Sequence, residues 1–406
     1  MDYILLSELV KVLFLANRIP FPPFRGDKLK IYNLARRLAV NHSLYLVTFV
    51  QDKEDLKYRK ELEKIFEEVH FIFQPQIKSV LNCVEAFFTG ESFQLAYFRN
   101  KEMHSLLNVL FNIHQFDVCH VQHLRMSQYA ENITCPKILD LPDAYSLYWE
   151  RRKTVKRKWY NRFFDSLESK RVIEAENVLH QFDLNLVCSV EDRDFLIKKH
   201  HTDKIKLLRN GVDLGLFVFR NHNYQKNNTL VFTGNMDYAP NIDAVVSFVA
   251  NMWPTLKKEF PNLKLIIAGQ RPVSSVRELE SDAIEITGFV SDMSVMYEKA
   301  SVVIAPLRFG AGTQNKVLEA MAMGVPVVCT EIGFAGLEIK SGEGCILSLN
   351  DQEFIANVSD LLKDANRREE VGRKGLEIAK NKFSWDGIST QLEVYLEEVA
   401  QINKNE

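Results

Sequence analysis

At 406 residues the chain is too long for one ordinary hydrophobic core and implies two domains of roughly 200 residues each. Its 46% hydrophobic content supports two full cores, and a formal net charge of −2 excludes a global pull toward nucleic acid or an anionic surface. The six cysteines (Cys83, Cys119, Cys135, Cys188, Cys329 and Cys345) form no CxxC pair and read as reduced, packed thiols rather than zinc ligands.

The opening MDYILLSELVKVLFLANRIPF is interrupted by Asp2 and Glu8, with no basic stretch before its apolar run and no small-residue cleavage site after it. It therefore reads as leading into a first strand at 12–16, not as a leader peptide. No apolar run approaches the roughly 20 residues of a bilayer span, so the expectation is a cytoplasmic protein, at most peripheral to the inner face of a membrane. A proline-rich loop at 20–28 ends in Gly26-Asp27-Lys28, where a tight turn meets a helix start. Strands at 43–50 and 70–73 flank a charged helix expected over 54–68, the rhythm of a doubly wound domain.

Residues 80–98, with Leu81, Phe87, Phe88, Phe93, Tyr97 and Phe98 around Gly90, read either as core or as a loop beside an acceptor. A strand at 117–123 carries His120 and His123. Groups at the carboxyl end of a strand face the ligand crevice of an open α/β sheet, so either histidine can act on a substrate hydroxyl, and His123 is the one taken forward. The next strand end offers Asp140 and Asp143, carboxylates suited to orienting a sugar or receiving a proton. Residues 149–171 hold nine basic and three acidic residues with interleaved aromatics. If helical, that segment can rest on anionic headgroups or grip a phosphorylated lipid, although a charge run is more often simply a solvated face.

Asn221, Asn223, Asn227 and Asn228 give 214–228 a linker composition, so the boundaries are drawn at 1–215, 216–382 and 383–406. Strands follow at 229–233, ending in the Gly234-Asn235 turn, at 263–269, and at 284–290, ending in Gly288-Phe289-Val290. The most informative stretch is 302–337: a β-branched strand closed by Pro306, the loop Arg308 to Gln314 with Gly310, Ala311 and Gly312, and a helix at 314–323 that Thr313 can cap. A strand, a glycine loop and a helix start together present unpaired N–H groups and a positive dipole end to a phosphate or diphosphate. Lys316 and Glu319, three apart, share a face of that helix: a cation beside the anion, and a carboxylate one turn deeper that can accept two sugar hydroxyls.

In order and spacing, PLRFGAGTQNKVLEAMAMGVPVV resembles the C-terminal half of retaining GT-B glycosyltransferases of the GT4, or group 1, family, and a weaker likeness covers almost the whole chain. The resemblance implies an α/β fold of GT-B type, two doubly wound Rossmann-like domains facing a central cleft, with the last helix crossing back to the first domain. It implies a donor site in which Gly234 and Asn235 approach the phosphates and Gly288, Phe289 and Val290 hold the nucleobase. Gly310, Gly312, Thr313 and Gln314 surround the diphosphate, and Glu319 holds the ribose. Gly26, Asp27 and Lys28 then lie near acceptor and transferred sugar. The chain also departs from the family: Ala311 stands where the first of two glutamates is usual, and Asn235, Met236 and Asp237 stand where an arginine and a lysine usually follow the glycine. Lys316 with Arg308 is the substitute clamp. The histidines are spaced H-x-x-H, with Gln122 where the usual second histidine falls.

The expected activity is transfer of a sugar, with retention, from a nucleotide diphosphate sugar to a glycan or lipid-linked hydroxyl acceptor in surface polysaccharide or glycolipid synthesis. It needs no cofactor, no metal and no nucleic acid. An epimerase or phosphorylase on the same fold, or a non-catalytic nucleotide-sugar-binding partner, is the alternative. No GxxxxGK[ST], HExxH, GxSxG or GxGxxG occurs, which removes the main competing enzyme classes.

Overall fold

A computed structural model describes residues 9–23, 26–154, 159–220 and 222–402. The chain forms two compact units: one runs to Arg209 and resumes at Asp386, and the other spans Asn210–Trp385.

The first unit is a parallel sheet of seven strands: β1 (Lys11–Ala16), β2 (Ser43–Val50), β3 (Glu68–Phe73), β4 (Val118–Gln122), β5 (Lys137–Leu141), β6 (Leu184–Val187) and β7 (Ile205–Leu207), in the order 3-2-1-4-5-6-7. Runs such as VLFLA and SLYLVTFV are apolar on both strand faces because helices cover both sides of a parallel sheet. Helix Gly26–Leu38 shows the complementary pattern, burying Ile31, Leu34, Ala35 and Leu38 at helical spacing. The final helix, Trp385–Ala400, belongs to this unit: Glu393 accepts from Asn41 at 2.9 Å, and Tyr395 donates to the Leu207 carbonyl at 3.1 Å.

The second unit is a parallel sheet of six strands: β8 (Thr229–Thr233), β9 (Lys264–Ala268), β10 (Ile284–Gly288), β11 (Val302–Ala305), β12 (Val327–Cys329) and β13 (Cys345–Leu347), in the order 10-9-8-11-12-13. Each sheet reverses its strand order once, between β1 and β4 and between β8 and β11. Doubly wound folds bind ligands in the crevice beyond such a reversal, so the loops after these four strands are where chemistry belongs.

Two expectations are corrected. The stretch 54–68 is not one helix but a 3-10 turn, Lys53–Tyr58, and a single α turn, Arg59–Leu62. Only Leu62 of these is buried, and a charged run without an apolar stripe has nothing to pack with. The linker-like stretch 214–228 is anchored to the second unit: Phe217 and Tyr224 are buried, Tyr224 donates to the Gly324 carbonyl at 2.8 Å, and its own carbonyl accepts from Arg368. The chain therefore changes unit earlier, between Arg209 and Asn210. Of the stretch 80–98, Phe98 is buried in the core as one reading had it, whereas Phe87 and Phe88 stand exposed on helix Gln76–Thr89. No helix among the described residues is long and apolar enough to cross a membrane.

Candidate functional site

At the reversal point of the second sheet, the loops after β8 and β11 are joined by one asparagine. Gly234 directly follows β8 with φ +153°, and a Cβ there would come within 2.6 Å of Asn241 Nδ2. Glycine is thus required both for the conformation and for the close approach. Asn241, near the start of helix Ala239–Asn251, donates to the Asn235 carbonyl at 3.0 Å and accepts from Lys316 Nζ at 2.9 Å. Gln270 completes the frame by donating to Asn235 Oδ1 at 2.8 Å.

Lys316 lies in the first turn of helix Asn315–Ala322, is 7% exposed, and stands 4.9 Å from the Phe232 ring centre. Burial pushes its ammonium down to about 8, with Glu319 acting in the opposite direction. Glu319, one turn on and half-buried, accepts from the Tyr297 hydroxyl at 2.6 Å. Burial raises its carboxyl, while the Tyr297 bond and Lys316 oppose the rise. Tyr297 is fully buried and its hydroxyl also meets Thr233 Oγ1 at 2.8 Å, so the last residue of β8 helps hold the carboxylate in place.

The helix starts one residue later than expected. Its N-cap is Gln314 rather than Thr313, and the Gln314 side chain makes no capping bond. Gly310 (φ +149°) and Gly312 (φ +69°) bend the loop ahead of it, and Ala311 is buried. Arg308, expected beside Lys316, instead grips Asp243 with two bonds at 2.7 and 2.5 Å. At the end of β10, Gly288 (φ +68°) and the exposed Phe289 line a cavity of about 390 Å³ with Arg271, Pro272, Arg277, Glu280, Ile286 and Thr287, and Val290 follows, half-buried.

In the first unit the candidate residues separate into two groups. Asp140 and His120 are fully buried: Asp140 Oδ1 accepts from Lys30 Nζ at 2.6 Å, and its other oxygen lies 3.6 Å from His120 Nε2. Burial drives His120 down to about 4, so it is neutral. The Asp140 carboxylate, expected on the acceptor side, is engaged here in offsetting the charge of buried Lys30.

His123 and Asp143 sit instead at the strand ends. His123 has φ 80° and is 3% exposed. Its Nδ1 accepts from the Arg125 N–H at 3.3 Å, which leaves the proton on Nε2 facing the Tyr145 hydroxyl in a short bond. Burial, with Arg125 and Arg18 nearby, pushes this histidine well below its ordinary range. Asp143 is raised to about 8 by burial and by Asp192 and Asp27, so at neutral pH it is protonated and able to donate. Asp27 faces Arg18 at 3.7 Å, and its carbonyl accepts from Gln122 at 2.6 Å, which ties β4 to the start of the helix that carries Gly26 and Lys28.

Sequence reasoning missed Asn241, Tyr297, Tyr145 and Asn17. The last follows β1 directly, is 1% exposed, and has neither side-chain polar atom hydrogen-bonded. A polar residue just past an apolar strand at a reversal point was the available signal. The basic stretch forms two helices, Tyr145–Thr154 and Trp159–Ala175, and its Lys156, Arg157 and Lys158 lie outside the described residues. Among the described residues, no three His, Cys, Asp or Glu side chains gather as metal ligands.

Residues 227–364 match the family model of glycosyl transferases group 1. Over 397 residues, 93% of this chain and 95% of the relative, the sequence is 23% identical to an uncharacterized 44.6 kDa protein in the cps region of Klebsiella pneumoniae. A shorter match of 111 residues, 34% identical and covering 27% of this chain and 28% of the relative, is to the O-antigen chain mannosyltransferase B of Escherichia coli. The fold is similar to that of HepE from Anabaena, solved in complex with UDP and glucose, with TM-score 0.70, 15% identity, and coverage of 96% of this chain and all of that one.

Proposed function

We propose, from the premise that the chain is a GT-B glycosyltransferase whose second unit belongs to the glycosyl transferases group 1 family, that it moves a sugar from a nucleotide diphosphate sugar to a hydroxyl acceptor with retention of configuration. The cps-region and mannosyltransferase relatives support a role in polysaccharide synthesis. The observation that carries the reading is the placement of Lys316 and Glu319 one turn apart at the start of helix Asn315–Ala322, at the reversal point of the second sheet.

In this reading the first-turn N–H groups and Lys316 take the diphosphate, whose charge grows as the glycosidic bond breaks. Asn241 holds the ammonium in place beforehand, so little reorganisation is needed. Glu319 takes the ribose hydroxyls, and the cavity beside Gly288 and Phe289 takes the base. The leaving oxygen assists deprotonation of the acceptor, and His123 and Asp143 position the acceptor or transferred sugar. No metal and no cofactor enters this scheme. The acceptor is a glycan or lipid-linked sugar, and residues 149–171 make a peripheral contact with the inner face of an anionic membrane.

The test is a melting-temperature screen against UDP, GDP, ADP and their sugars, followed by transfer assays with the stabilising donor and NMR assignment of the product anomer. An inverted product, or no shift with any nucleotide, sinks the reading. A second reading, a donor-binding partner without turnover, is favoured by Ala311 in place of a carboxylate and by Arg308 being held by Asp243. Donor-induced stabilisation without transfer to any acceptor would select it.

A further inference from the structure

Helix Gln76–Thr89 turns its polar side inward and its apolar side outward. Toward the protein, Ser79 accepts from Gln74 at 3.3 Å, Asn82 donates to the Arg99 carbonyl at 2.9 Å, Cys83 donates to the Phe93 carbonyl at 3.7 Å, and Ala86 is buried. Toward solvent stand Ile77, Val80, Leu81, Val84, Phe87 and Phe88, between 45% and 81% exposed. At helical pitch these six fall within an arc of about 120°, opposite the inward residues. A surface helix of a globular domain ordinarily shows the reverse, and a contiguous exposed apolar face of this kind marks an interaction surface.

The apolar ground continues onto the helix Trp159–Ala175. Arg171 on that helix donates to the Phe87 carbonyl at 3.1 Å, and seven residues earlier, on the same helix face, Phe164 is exposed beside an exposed Phe163. Charge decides what this surface suits. Glu85, the one carboxylate on Gln76–Thr89, pairs with Arg99 at 2.7 Å. Glu150 pairs with Lys199 at 2.6 Å and Asp165 with Arg152 at 3.1 Å, while Glu168 points inward to Ser92 and the N–H groups of Phe93 and Gln94. Lys153, Arg162 and Lys170 are exposed. Exposed cations thus lie on the helices beside the apolar stripe, and most of the nearby carboxylates are engaged, with Glu174 the further exposed carboxylate on Trp159–Ala175.

We propose that this face, helix Gln76–Thr89 with Phe163 and Phe164, inserts shallowly into an anionic lipid bilayer, with the stripe at the boundary of the acyl chains and the cations at the headgroups. A second copy of the chain fits less well, since a two-fold contact would set cations against cations. The proposal deepens the membrane contact of residues 149–171 and rests on that reading for its cations.

Co-sedimentation of the full chain with phosphatidylglycerol–phosphatidylcholine vesicles, and with phosphatidylcholine alone, tests it in three forms: wild type, L81Q/V84Q/F88Q and R162Q/K170Q. The stripe positions are exposed, so melting temperatures should stay near wild type. Expected is wild-type binding to the anionic vesicles only, with partition at least about ten-fold weaker for the stripe variant and a smaller, salt-dependent loss for the charge variant. Wild-type binding by the stripe variant overturns the insertion and leaves the contact of 149–171 standing. Wild-type binding by the charge variant, with loss in the stripe variant, upholds the insertion and removes the electrostatic contact. A wild type that ignores both vesicles, or a dimer in solution that only the stripe variant dissolves, overturns the proposal.

Discussion

The Tyr297 hydroxyl donates to Glu319 Oε2 at 2.6 Å while meeting Thr233 Oγ1 at 2.8 Å, so the carboxylate assigned to the ribose is fixed from the neighbouring strand end. Tyr297→Phe keeps the ring in the core and removes only this link. A hydrogen bond to a charged group contributes roughly 1.5–3 kcal/mol, so the donor KM should rise about ten-fold or more with kcat little changed. Because the Tyr297 bond holds the Glu319 carboxyl down against the effect of burial, its loss should also move the acid limb of donor binding to higher pH. A KM within two-fold of wild type would show that Glu319 does not depend on Tyr297.

Lys316 should behave differently, because its partner changes charge during the reaction. Lys316→Ala should lower kcat as well as donor affinity, whereas Glu319→Gln should mainly raise KM. With its ammonium pushed down to about 8, the free enzyme loses the cation as pH rises through that value, so kcat/KM should fall there. A bound diphosphate favours the charged form, and the corresponding limb of kcat should lie at higher pH. Coincident limbs in the two profiles would separate Lys316 from the diphosphate.

Much of this was legible in the sequence because it is local. The 302–337 stretch carries strand, loop and helix within one continuous run, and periodicity alone places Lys316 and Glu319 on one face. What escaped depends on contacts between distant residues. Asn241 is 75 positions from Lys316, and Tyr297 lies 22 from Glu319, with no spacing rule to join them. Asp140 and Asp143 look equivalent in LDLPD, yet Lys30, 110 positions away, takes one of them into the core. Helix 76–89 went unrecognised because an outward apolar face reads, in sequence, as core.

Asp143 gives a stability test with a definite sign. Its carboxyl is held at about 8 in the folded chain, against 3.8 for an ordinary aspartate, so the folded state binds more protons between those values. Its contribution is complete below the lower pKa and is lost as pH rises through the folded one. Asp143→Asn, neutral at every pH, should therefore gain melting temperature relative to wild type at pH 8 compared with pH 5. A difference that does not change with pH would show that Asp143 ionises normally.

His123 combines an unusual backbone with a buried, neutral imidazole whose two nitrogens are both engaged. At φ 80° and ψ 142° a side chain costs of order 1–3 kcal/mol, which persists only where the surroundings impose it, and such strain clusters at functional sites. Two substitutions separate the side chain from the strain. His123→Ala and His123→Gly both remove the imidazole and should both lower turnover by about 10²-fold if it acts in the transition state. Only glycine relieves the backbone, so His123→Gly should be the more stable of the two by about 1–2 kcal/mol in denaturant unfolding. Tyr145→Phe removes the partner of Nε2 and should lower kcat less than loss of the ring does. If His123→Gly is fully active, the strained backbone shapes the loop and the imidazole has no part in transfer, and the crevice role passes to Asp143 and Asn17.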